Sequence, residues 1–143
     1  KMQLTALHKM QLKPVLMWKT RIAQVKLVSK GGTVGYDRAF TALRSMKIAV
    51  LPVGYWDGFD RGLSNKGSVL ICGKKCSIVG NICMNMCMAD ITNVASAEAG
   101  DEAVLLGKQG SYEITAEEIA AKIGTINYEV VTRINPLIPR VVV

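Results

Sequence analysis

The chain has 143 residues, half of them hydrophobic and a fifth charged, which suits one globular domain and excludes a disordered polymer. No apolar run approaches the roughly 18 residues of a membrane span, and no signal peptide is visible. The net charge of +7 is unevenly placed: seven of the eighteen Lys and Arg residues precede the first acid, Asp37, and the other eleven balance eleven acids.

The basic segment is spaced along one stretch whose one aromatic residue before Tyr36 is Trp18. It reads as a solvated strand face or a subunit contact rather than a nucleic-acid surface. Residues 1–11 show no decisive period and read as a leader or the remnant of an upstream segment, with the domain proper over residues 12–143. The chain begins at Lys1 rather than Met, as expected for a piece of a longer protein.

From Leu12 to Val28 the pattern is that of a β-strand whose apolar face changes parity near Ile22-Ala23, predicting a bulge or strong bend. Gly31-Gly32 ends it, and a loop carrying Tyr36 follows. Lys47 to Val53 reads as a buried strand. Residues 54–67 are rich in Gly, Asp, Ser and Asn, a long surface loop of the kind that carries function. Ser68–Cys72 and Lys75–Val79 flank Gly73-Lys74 as a hairpin. Ile82–Thr92 reads as a further strand with Ile82, Met84, Met86 and Met88 on one side. Ala103–Leu106 then leads through a turn at Gly107–Gly110 into Tyr112–Thr115.

Thr115-Ala116-Glu117-Glu118 is a capping box. Ile119, Ala120 and Ile123 supply the buried stripe of the helix it opens, and Gly124 the stop. Thr125–Ile134 is ambiguous: β-branched content favours a strand, whereas Thr125 as a cap and the spacing of Ile126, Val130 and Ile134 favour a short helix. Together these elements predict a mainly β fold, a small antiparallel β-barrel-like domain with one or two short helices.

Composition alone offers little chemistry. The four cysteines, Cys72, Cys76, Cys83 and Cys87, are spaced in two pairs, but with three residues inside each pair rather than the two of a zinc knuckle. If Cys83–Cys87 is extended, its sulfurs lie about 13 Å apart, too far to share a metal. No metal site is expected, and buried reduced thiols in an unbridged cytoplasmic protein fit best. The one histidine, His8, falls in the least patterned stretch, so a nucleophile–histidine pair is not expected. Asp57 and Asp60 read as turn chemistry. Tyr36, Tyr55 and Tyr128 sit in or beside turns, where a phenol is usually packing and becomes a base only if a cation lowers its pKa from about 10.

Five ordered motifs carry more. They are Gly35-Tyr36-Asp37-Arg38-Ala39-Phe40, Leu51-Pro52-Val53-Gly54-Tyr55-Trp56-Asp57-Gly58, Arg61-Gly62-Leu63-Ser64-Asn65, the run Val79 to Met88, and Gly124-Thr125-Ile126-Asn127-Tyr128-Glu129. In this order they resemble the C-terminal domain of alanine racemase, a pyridoxal-phosphate enzyme. Leu12-Lys13-Pro14-Val15 and Lys19-Thr20-Arg21 resemble its opening strand, so the likeness covers residues 12 to about 140. It implies a head-to-tail homodimer in which the β-domain of one subunit covers the mouth of the other's (β/α)8 barrel. It also implies interconversion of L- and D-alanine through a pyridoxal-phosphate imine, supplying D-alanine for peptidoglycan.

Racemisation needs a proton carrier on each face of a planar carbanion that the cofactor stabilises. By motif, the resemblance implies that Tyr36 is one carrier, Tyr55 lines the substrate entrance, the Met84 backbone N–H meets the substrate carboxylate, and Tyr128 binds the cofactor phosphate. Gly35, Asp37, Asn81 and Asn85 depart from the residues common in the family, often Ser, Gly, Arg and Asp. These departures leave room for a racemase of another small amino acid such as serine. No lysine here matches the family's cofactor lysine, so the chain by itself is expected neither to hold pyridoxal phosphate nor to turn over. Two other readings stand beside this one: a basic β-barrel binding module, which low aromatic content disfavours, and a structural zinc module.

Overall fold

The structure is a computed structural model that describes residues 13–142; residues 1–11, read above as a leader, and His8 lie outside the described residues. Among the described residues, ten strands and two short α-helices follow one another: β1 (Trp18–Arg21), β2 (Gln24–Val28), β3 (Thr33–Val34), β4 (Phe40–Thr41), β5 (Met46–Leu51), β6 (Ser68–Ile71), β7 (Lys74–Ser77), β8 (Cys87–Asp90), β9 (Glu102–Gln109), β10 (Tyr112–Ile114), α1 (Ala116–Ile123) and α2 (Asn127–Thr132). The mainly β expectation holds, with every strand pair antiparallel.

One sheet runs β1-β9-β6-β7 with β10 also on β9, a second runs β2-β5-β8, and β3 pairs with β4. The parity change at Ile22-Ala23 is where the chain leaves one sheet for the other. The Ile22 N–H donates to the Asp101 carbonyl beside β9, and the next N–H, Ala23, donates to Val50 in β5, both at 2.9 Å. Across the molecule a single bridge, Ile78 to Ala89, joins the end of β7 to β8. The two larger sheets are therefore joined at two places, by the continuous chain at Ile22-Ala23 and by this lone bridge.

The main core draws on both of these sheets. Val69, Leu70, Ile71, Val104 and Leu105 are wholly buried, and Trp18 meets Phe59 edge to face at 6.0 Å, a geometry that suits the ring quadrupoles. A smaller cluster of Val34, Ala42, Met46, Ile48, Val79 and Met88 lies under the β3–β4 hairpin.

Two local expectations are corrected and one open alternative is resolved. Ile82–Thr92 is not one strand: only Cys87–Asp90 pairs as β8, and Met84 and Met86 are exposed whereas Ile82 and Met88 are buried. The reason is long-range. The N–H groups of Tyr55 and Trp56 take the carbonyls of Cys83 and Met84 (3.1 and 2.9 Å), and Cys83 N–H turns back to Met86 (2.9 Å), so no sheet partner remains for residues 80–86. Secondly, β9 continues through Gly107 to Gln109 and turns at Gly110-Ser111. Gly107, at φ +117°, bends within the strand, and a β-carbon there would press on the Met17 side chain at 2.9 Å. Thirdly, Thr125–Ile134 resolves to helix: α2 begins after Ile126, and Thr125 makes no side-chain cap. Val130 and Ile134 are buried as the helical spacing requires, whereas Ile126 is exposed.

The capping box of α1 forms by half. Thr115 Oγ1 accepts from the Glu118 N–H at 3.1 Å, while the Glu118 carboxylate pairs with Lys75 (2.7 Å) and Lys122 (3.0 Å). No helix among the described residues is long and apolar enough to cross a membrane.

Candidate active site

Three loops converge on one cleft. The first is the tip of the β3–β4 hairpin, a single 3-10 turn at Tyr36–Arg38. The second is residues 54–67, with 3-10 turns at Tyr55–Asp57 and Arg61–Leu63. The third is residues 79–86. They enclose an open cleft of about 640 Å³ whose lining includes Tyr36, Tyr55, Arg61, Asn81, Met84 and Asn85. Three of the four residues singled out from the sequence, Tyr36, Tyr55 and Met84, thus face one space.

Each loop is pinned by the next. Gly54 lies so close to the third loop that a β-carbon on it would meet the Met84 carbonyl oxygen at 2.5 Å and its carbon at 2.6 Å. That contact lets the Tyr55 and Trp56 amides reach Cys83 and Met84. It fixes Met84 by its carbonyl, while the Met84 N–H donates to no protein acceptor among the described residues. Ser64 Oγ accepts from Ile82 N–H at 3.0 Å. The hairpin tip packs on Gly80, where a β-carbon would lie 2.7 Å from the Val34 oxygen.

Asp57 and Asp60 do serve the turns. Asp57 Oδ2 accepts from Gly54 N–H at 2.9 Å. Asp60 accepts from Gly62 N–H at 2.7 Å and pairs with Arg133 at 2.8 Å. They act as braces, not as an acid–base couple. Phe59, between them, is buried against Trp18 and anchors the loop in the core.

Tyr128 stands apart. It lies on α2, 72% exposed, beside a separate groove of about 320 Å³ that Leu16, Ile114, Glu113 and Glu117 also line. Asn127 ties this helix to α1, donating to Glu117 Oε1 at 2.8 Å and accepting from Tyr128 N–H at 2.9 Å. The Asn127 bond holds the Glu117 carboxyl below its ordinary value. The two glutamates make the groove itself a poor host for phosphate.

All four cysteines are free. Cys72 is exposed at the β6–β7 turn and the other three are buried. Burial pushes the Cys76 thiol up to about 11 and raises Cys87 further. Among the described residues no three His, Cys, Asp or Glu side chains gather as a metal site. The bend at residues 83–86 removes the extended geometry on which the 13 Å separation rested. Part of the basic excess is used internally: Lys19 pairs with Glu102 at 3.1 Å, and Arg21 donates to the Gly100 carbonyl at 2.8 Å.

Sequence reasoning missed Asn65, which spans two of the loops. Its Oδ1 accepts from Gly80 N–H at 2.7 Å and its Nδ2 donates to the Ala39 carbonyl at 3.3 Å. The available signal was an Asn in a Ser-Asn-Lys-Gly turn, a residue that tolerates its φ of +56°.

These features define a mainly β domain that presents a tyrosine-lined cleft open to solvent. Residues 15–142 match the family described as "Alanine racemase, C-terminal domain", and the chain belongs to that family. It is 44% identical over 142 residues to the alanine racemase of Leptospira interrogans, covering 99% of this chain and 36% of that protein. Its structure resembles that of alanine racemase from Bartonella henselae with covalently bound pyridoxal phosphate, at a TM-score of 0.82 and 32% identity, over 89% of this chain and 34% of that one. It is similar also to alanine racemase from Bacillus anthracis with bound L-Ala-P, at a TM-score of 0.84 and 32% identity, over 94% and 34% of the two chains. The chain thus spans about a third of the length of these relatives.

Proposed function

We propose that this chain is the β-domain part of an alanine racemase and contributes one wall of its active site. The observation that carries the reading is that Tyr36, Tyr55 and Met84, distant in sequence, line one cleft. The cleft suits a small amino acid zwitterion. The Arg61 guanidinium and the unengaged Met84 N–H can meet a carboxylate, and a phenol stands beside them.

Pyridoxal phosphate fits this chain only in part. The cleft lining holds no lysine, so the lysine that would carry the cofactor belongs elsewhere in the enzyme, and Tyr128 is the residue here that would hold the phosphate. When bound, the cofactor supplies delocalisation of the charge left on Cα after proton removal. The work of this chain is then proton transfer and orientation. As phenolate, the Tyr36 oxygen would take the α-proton on one face while a group outside this chain gives a proton to the other, and in the reverse direction the neutral phenol gives its proton back. The Met84 N–H orients the carboxylate, and Tyr55 narrows the approach. A Tyr36 ring 71% exposed on an open cleft supports its use by a partner subunit's barrel in a homodimer. Four free thiols support a reducing, cytoplasmic setting.

In the full-length enzyme, Tyr36→Phe is expected to slow racemisation of L-alanine by roughly 100- to 10,000-fold; an unchanged rate would refute the role. The chain alone, mixed with pyridoxal phosphate, is expected to show no stable band near about 420 nm.

A further inference from the structure

The backbone that carries Tyr36 is strained. Gly35, Asp37 and Arg38 have φ of +81°, +59° and +52°. Glycine adopts such values freely, but a long side chain such as Arg38 does so at a cost, and the turn persists only where its surroundings hold it. The turn closes on itself with one bond, Ala39 N–H to the Tyr36 carbonyl at 3.2 Å. Two asparagines supply the rest. Asn81 Nδ2 donates to the same Tyr36 carbonyl at 3.2 Å. Asn65 Nδ2 holds the Ala39 carbonyl at 3.3 Å while its Oδ1 grips Gly80 N–H, the residue beside Asn81, at 2.7 Å. Both ends of the turn are therefore tied by amide side chains to one point of the neighbouring loop.

We propose that Asn81 and Asn65 are positioning residues that hold the Tyr36 turn in the conformation that presents its phenol to the cleft. This rests on Tyr36 being the proton carrier proposed above. Both bonds to the turn are open to solvent, so their worth to folding is small. Their worth to the reaction is geometric. Proton transfer needs its heavy atoms within about 3 Å, and a displacement of roughly 1 Å can cost about 100-fold.

The test uses the full-length enzyme with Asn81→Ala and Asn65→Gly. Glycine keeps the positive φ at 65 while removing both contacts, and Asn65 does not line the cleft. Each variant is expected to lose roughly 10- to 100-fold in kcat with little change in KM. The primary isotope effect with Cα-deuterated L-alanine should grow, because transfer to the phenol becomes slower. Backbone amide exchange should quicken over residues 36–42 and stay unchanged in β5. Rates within twofold of the parent in both variants, or slower turnover with unchanged exchange at the turn, would overturn the proposal. Tyr36→Phe assayed alongside separates the two failures. If it too keeps full rate, the base assignment falls and this proposal with it. If it alone is slowed, only the positioning role falls.

Discussion

Gly54 has no room for a side chain. A methyl group there meets backbone, not a flexible side chain: the Met84 carbonyl carbon lies 2.6 Å away. Gly54→Ala must push the second and third loops apart, breaking the Tyr55 and Trp56 bonds. It is expected to destabilise the chain by about 1–3 kcal/mol, read as a lower urea midpoint, and to depress activity of the full-length enzyme further than that loss of stability explains. Asn65→Ala combines a lost bracket with a β-carbon at φ +56°, so it should be less stable than Asn65→Gly, against the usual order of these residues. A melt that ranks alanine above glycine would show that the left-handed conformation is not retained. At this scale the sequence was informative only through resemblance. Composition marks Tyr36 as one loop tyrosine among several, and nothing local shows that Asn65 and Asn81 reach residues 15 to 45 positions away.

Helix α1 was legible because its signals are local: a Thr cap, an apolar stripe and a closing glycine. Thr115→Ala is expected to cost about 1 kcal/mol, measurable by denaturant titration. The destination of Glu118 was not legible, since Lys75 lies in β7. Burial alone would raise the Glu118 carboxyl, but the hydrogen bonds from Lys75 and Lys122 outweigh it and hold the group below its ordinary value. A depressed folded-state value stabilises above the unfolded pKa of about 4.3 and loses that contribution as pH falls through the folded value. Glu118→Gln should therefore be less stable than the parent at pH 7, by about 0.5–1 kcal/mol for partly exposed pairs. The gap should close as the pH drops below about 4. A gap that persists at low pH would assign the effect to helix propensity instead. The reading of residues 82–92 failed for the opposite reason. Alternating methionines imitate a strand, and the amides that bend the segment come from Tyr55 and Trp56, almost thirty positions away in the chain.

Taken whole, the two larger sheets are joined by one bent stretch of chain and one bridge, and the loop at residues 54–67 is anchored in the core through Phe59. Phe59→Ala is expected to cost about 3–5 kcal/mol, seen as a lower thermal midpoint, and to loosen the loop that carries Tyr55. The thiols report the same core. In the native chain the exposed Cys72 should be the first thiol to react with a disulfide reagent, though partial burial and the neighbouring Asp101 raise it and slow the reaction. Cys76, Cys83 and Cys87 should lag until denaturant is added, since burial raises each of them and hides it. Fold class was readable because alternation and turn residues act over a few positions, and the parity change at Ile22-Ala23 even located the passage between sheets. The assembly of the cleft was not, because its three loops are stitched by main-chain and amide bonds across distant segments. That stitching has an evolutionary corollary. Adding or deleting one residue in any of the three segments would throw its hydrogen-bonding out of step with the other two. Diversification of this rim should therefore proceed by exchanging side chains such as those at 81 and 85, with loop lengths held constant.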